Sequence, residues 1–169
     1  MFIGHLSAGY LCTTLLMKDR KIPSAQRNIF LVLGLLGSIA PDLDMFYFYL
    51  VDHRQHWHHT YFTHWPSFWL SVIASSLIVG HAVRNRMLAL GGSVLGANGL
   101  LHLVLDTHVG RIHWLEPFSN QWVYFFDVPA RYHPKILNFL FHWTFVFEIA
   151  LVVSAIYVFT QNRRMEKVS

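Results

Sequence analysis

His102 and Asp106 are four residues apart in an otherwise apolar stretch. On a helix they share a face, one turn apart. A neutral imidazole and a carboxylate so placed can grip one metal ion. The plainer reading is a hydrogen-bonded pair, because polar groups in lipid need partners. Pro41-Asp42-Leu43-Asp44 sets two carboxylates close together, which repel unless a cation or a proton relieves them. Each Asp taken alone also suits a helix cap. The densest run is His53 to His64, with five histidines in twelve residues. Packing does not explain such density, although an interfacial loop or loose metal binding would account for part of it. His59 and His64 do not share an ideal helix face, so a turn or a distorted helix start must aim both inward. His53, His56 and His58 read as peripheral members of this run.

His5 joins these residues as a further candidate ligand. The expected metal set is His5, Asp42, His59, His64, His102 and Asp106, with Asp44 as a ligand or the general base. His108, His113 and His133 are possible additional ligands, as is His142, whereas His81 lies near the inner end of the third apolar segment, far from the cluster. A His/Asp set without Cys suits zinc, manganese or iron rather than Cu(I), and more than four candidates leave room for one or two ions. Such an ion would make water a usable nucleophile at neutral pH, and a spare Asp could take the proton. The chemistry implied is hydrolysis.

The rest of the chain must position these groups. Its 169 residues are 54% hydrophobic and only 13% charged, whereas ordinary soluble chains carry ~25% charged residues. That excludes a disordered chain and disfavours a soluble one. The single Cys12 excludes an intrachain disulfide framework and a Cys-based zinc ribbon. We expect one all-α domain over 1–169, a polytopic membrane bundle of about five apolar helices. The segments are Phe2–Met17, Ile29 to about Ala40, Pro66–Val83, Met87–Leu105 and Asn138–Thr160. The first two are short against the ~20 residues that cross hydrocarbon. A signal peptide is the rival reading of the first, but no basic stretch precedes it. Gly91, Gly92, Gly96 and Gly99 allow close helix approach. Thr107 to Lys135 reads as a long mixed loop.

Nine of the 13 basic residues follow segments one, three and five. With five crossings they all fall on one face, which the positive-inside rule makes cytoplasmic. The His/Asp groups then gather at the opposite, extracytoplasmic face, among Trp and Tyr side chains that favour the headgroup level. The bilayer is therefore an expected partner. Nucleic acid is not, because the basic residues form no single stripe.

Taken together, these residues resemble the YdjM-like family of membrane-bound metal-dependent hydrolases. The family pattern has an N-terminal His, a PDxD segment, a His–x3–Thr-His-type box and an HxxxD followed by Gly and a Pro-Phe turn. The matching residues here are His5, Pro41 to Asp44, His59 to His64, His102 to Asp106, Gly110 and Leu115-Glu116-Pro117-Phe118. The family has Arg-Gly after the first box His and Ser after the second; here Thr60-Tyr61 and Trp65 stand there. An alternative register runs from His53-Arg54 to His58. The family is distantly similar to zinc-dependent phospholipase C, which implies a phosphoester substrate and, at an interface, a lipid one. The later HxxxE of those enzymes has no match, since His142 and Glu148 are six apart. An inner (cell) membrane location follows from the same resemblance.

Two other classes compete with this reading. A metal transporter or non-catalytic metal binder would favour polar groups at the midplane, whereas these sit at one face. A di-iron lipid oxygenase would need several dense histidine boxes, and His56-Trp57-His58-His59 is a single one.

Overall fold

The computed structural model describes residues 3–18, 22–134 and 136–168. Phe2, Arg20, Lys21 and Lys135, used above for segment bounds and charge counts, lie outside them. Seven α-helices carry the described residues: α1 (Gly4–Met17), α2 (Ser24–Ile39), α3 (Asp44–Leu50), α4 (Pro66–Ala82), α5 (Arg86–Asp106), α6 (Ile136–Leu140) and α7 (Phe145–Val168). Three short 3-10 turns lie between α2 and α4, at Pro41–Leu43, His58–Thr60 and Phe62–His64. Among the described residues the one β-type contact is the isolated bridge Ile112–Val123.

Helix α5 is the centre of the bundle, packing against α1, α2 and α4. Its glycines make this possible. A methyl group at Gly91 would strike Leu33 of α2, and one at Gly96 would strike Ile73 of α4. On α2, a Cβ at Gly37 would collide with the Leu95 carbonyl of α5. Asn98 ties α5 to α1 by donating from Nδ2 to Thr13 Oγ1 at 3.0 Å.

Burial is inverted relative to a water-soluble domain. Thr13, Ser38, Asn98, His64, His102 and Asp106 are buried, while Val32, Leu70, Ile78, Val153 and Ile156 are more than half exposed. Helices that present apolar side chains outward and polar ones inward are built for lipid. By length and composition, α5 and Phe145–Met165 of α7 can cross a bilayer. Helix α2 followed by Pro41–Leu50 would be a third span, bent by 55°. Helix α4, with 17 residues, and α1, with 14, are shorter. By length and composition alone, the described helices give two or three candidate crossings, and the short α1 and α4 would have to supply the rest of the five expected.

Three features differ from the sequence reading. Helix α2 begins at Ser24 instead of Ile29, because Pro23 sets the helix entry and the polar residues after it extend the helix rather than stop it. Helix α2 ends at Ile39, as expected, but the helical chain resumes beyond Pro41. The missing proline N–H breaks the regular ladder, and the chain turns through Pro41–Leu43 and continues as α3. The expected span from Asn138 is split into α6 and α7. Within α6, Asn138 Oδ1 accepts from the backbone N–H of Arg131 and Tyr132, both at 2.7 Å.

The long segment after α5 is packed down rather than loose. Phe125 N–H donates to Thr107 O at 2.9 Å, Trp114 Nε1 donates to Thr107 Oγ1 at 2.9 Å, and Ile112 is fully buried.

Candidate metal centre

The ligand candidates meet where three pieces of chain converge. The break at Pro41 swings Asp42 towards the last turn of α5, which carries His102 and Asp106. The histidine run closes over them. It forms two 3-10 turns with extended Tyr61 between them, and this kink aims His58, His59 and His64 inward together. The His58 and His59 rings are 4.0 Å apart and the His59 and His64 rings 4.8 Å. Trp69 holds the loop to α4, donating from Nε1 to Thr63 O at 2.7 Å.

One donor atom from each of Asp42, His64, His102 and Asp106 lies within 4.8 Å of all the others. His102 Nε2 is 3.0 Å from Asp106 Oδ2 and 3.6 Å from Asp42 Oδ1. His64 Nε2 is 3.9 Å from both carboxylates. The Nε2 atoms of His64 and His102 are buried and have no hydrogen-bond partner. Their other ring nitrogens are occupied. His102 Nδ1 donates to Ser38 O at 2.8 Å, and His64 Nδ1 donates to Asp44 Oδ2 at 2.7 Å. A carbonyl or carboxylate on Nδ1 fixes the tautomer that leaves Nε2 as a lone pair, as in metal-ligating histidines. Two carboxylates and two neutral imidazoles also balance a dication, which matters where an uncompensated charge is expensive.

The other candidates lie around this group. His5 stacks on His102 with centroids 3.8 Å apart, and its Nε2 is 3.1 Å from Asp106 Oδ1. His59 Nε2 is 3.7 Å from Asp106 Oδ2, and His58, His59 and His64 form a second possible ligand group. Burial pushes His59 down to about 3, so its ring is neutral and fit for ligation. Asp44 also accepts from Thr63 Oγ1 at 2.7 Å. Its buried Oδ1 faces His58 Nδ1 at 3.7 Å. The structure thus brings His58 into the cluster, which the sequence reading left at the periphery; its adjacency to His59 was the only signal. His56 turns away to Asp52, at 2.7 Å. His108 stacks on Phe147, His113 packs on Trp122, and His142 pairs with Thr144.

The match to known proteins covers nearly the whole chain. The profile described as "YdjM inner membrane protein" matches residues 1–167. The chain belongs to the YdjM inner membrane protein family. It is therefore an inner membrane protein, which accords with its outward apolar faces. Neither a curated protein nor a solved structure matches it.

The sequence reading weighs Glu148 only as a failed HxxxE partner of His142 and misses its structural role. Glu148 is buried on α7, and its Oε2 accepts from Ile3 N–H at 2.8 Å and Gly4 N–H at 3.1 Å. It caps the first turn of α1, where backbone N–H groups have no helical partner, and so fixes the helix that carries His5. We expect Glu148→Ala to lower stability by about 1–3 kcal/mol, the cost of stranding buried N–H groups. Glu148→Gln keeps an acceptor and should lose less. Thermal unfolding in detergent measures both, and equal losses would refute the capping role.

Proposed function

We propose that this YdjM family member is a membrane-embedded metal-dependent hydrolase that cleaves a phosphoester, with a lipid phosphoester as the natural substrate class. The convergence of Asp42, His64, His102 and Asp106 supports this reading. They would hold one divalent cation, zinc first and manganese or iron as alternatives, with His5 and His59 beside it and room for a second ion. Such a cation supplies Lewis acidity for attack by water. Asp42 forms the solvent side of the group, its side chain 42% exposed, while those of His64 and His102 are sealed. Substrate would enter there. Asp44 orients His64 through Oδ2, and its Oδ1, facing His58, is our proton acceptor.

In the accompanying topology five helices cross, with the site on the extracytoplasmic face. The charge pattern supports this arrangement. The gathering of the polar groups at one end of the bundle disfavours transport, which places its site near the midplane.

The test is metal content and hydrolysis together. Detergent-purified protein, made without a His-tag, should carry stoichiometric metal. It should hydrolyse bis-p-nitrophenyl phosphate or phospholipid vesicles, lose that activity to a chelator and regain it with zinc. Bound metal without hydrolysis of any phosphoester would mean a metal-binding protein. No bound metal after reconstitution would overturn the whole reading.

A further inference from the structure

A second feature lies at the far end of α5. This helix runs for 21 residues from Arg86 to Asp106, about 30 Å at 1.5 Å per residue, so its first turn is a bilayer's depth from the metal centre. There a cavity of about 570 Å³ opens between α2 and the α4–α5 turn. Its rim is polar, with Gln26, Arg84, Asn85 and Arg86, and its floor is apolar, with Phe30 and Leu90. Ile22, Phe30 and Leu90 also line a second cavity of about 290 Å³, which continues between the helices past Leu16, Leu77 and Ala97. A basic mouth thus leads into an apolar groove at the end of a membrane-length helix.

The residue at the mouth is in an unusual place. Helix α4 ends in a Schellman motif, with Asn85 N–H donating to Gly80 O at 2.7 Å and Arg84 N–H donating to His81 O at 3.1 Å. The position that closes this motif has a left-handed backbone and is ordinarily glycine. Here it is Arg84, at φ 51°. Asn85 then caps α5, its Oδ1 accepting from Leu88 N–H at 3.1 Å. A guanidinium has been placed at the rim where the backbone prefers no side chain, and such strain marks a position held for another purpose. No carboxylate pairs with Arg84 or Arg86 among the described residues.

We propose that this mouth and groove bind an anionic phospholipid. Arg84 and Arg86 hold the phosphate headgroup, and one acyl chain lies in the groove towards Ala97. Charge complementarity selects the occupant, because basic pockets between helices at a membrane face match anionic headgroups. The apolar continuation selects a lipid over a free anion. This site is independent of the metal centre and of the hydrolase reading.

Arg84→Gly is an unusually clean probe, since it removes the guanidinium and supplies the residue the turn prefers. The experiment is native mass spectrometry of the full-length detergent-purified protein with phosphatidylglycerol, phosphatidylcholine or inorganic phosphate. Wild type should retain phosphatidylglycerol over phosphatidylcholine. Arg84→Gly combined with Arg86→Gln should weaken that retention about thirtyfold, as expected for two interfacial cations, without loss of thermal stability. Ala97→Leu, which fills the groove, should weaken long-chain lipid more than its dihexanoyl analogue. Arg163→Gln with Arg164→Gln is the charge-matched control and should leave retention unchanged. Undiminished retention in the Arg84/Arg86 variant would overturn the proposal. So would an equal loss in the control, or displacement of lipid by inorganic phosphate at equal concentration.

Discussion

Asp106→Asn should leave a folded protein that no longer holds metal. The carboxylate is buried, 3% exposed, and its two oxygens face His5, His59, His64 and His102. No other carboxylate among the described residues faces so many of the candidate histidines. Replacing one oxygen by NH2 removes a negative charge and presents a donor to rings whose Nε2 atoms are lone pairs. Changing a group that merely orients a ligand already costs 10–100-fold in metal affinity, so losing this ligand should cost more than ~100-fold. The clearest readout is metal-linked stability. At zinc a thousandfold above its Kd, wild type gains about 4 kcal/mol, or about 8–16 °C in Tm for a chain of this size. The variant, at least ~100-fold weaker, should gain no more than about 1.4 kcal/mol. Apo stability should change little, because the lost attraction to histidines is offset by relief of Asp42–Asp106 repulsion. A full zinc-induced shift in the variant would remove Asp106 from the ligand set.

Asp44→Asn should separate binding from chemistry. The Asn carbonyl can still accept from His64 Nδ1, replacing the bond now made at 2.7 Å, so the variant should fill with metal when zinc is abundant. Asn cannot take a proton. If Asp44 is the acceptor, kcat at saturating metal should fall ~10²–10⁴-fold, the usual contribution of general-base catalysis. Asp44→Ala removes both functions and should weaken metal binding about 10–100-fold as well. Unchanged kcat in the metal-loaded Asn variant would leave Asp44 as a positioning residue only.

Much of this arrangement was legible in the chain because its signals were local. The i,i+4 spacing of His102 and Asp106 forces them onto one face, and the structure places both at the end of α5. Pro66 at a helix start and the glycines of α5 were similarly readable, since each acts on its own element. Non-local contacts were not readable. The cap from Glu148 to α1 depends on segments far apart in the chain meeting in space. His58 looked like any other histidine of its run. Only the two consecutive 3-10 turns around Tyr61 turn it inward. The packing of residues 107–126 over the end of the bundle likewise left no periodic trace.

The four central donors come from three separate stretches, none of which is a site alone. Asp42 waits on the turn after α2, His64 on its loop, and His102 with Asp106 on a helix made later than either. A growing chain therefore offers an ion only two of these four donors until α5 has docked. Once it docks, His64, His102 and Asp106 are closed off and only the Asp42 side stays open. Loading becomes an event in assembly, and later exchange must pass that narrow side. Metals compete for such sites in an order set by intrinsic affinity only when exchange is free. The ion in the purified protein would then record which metal was available when the bundle closed.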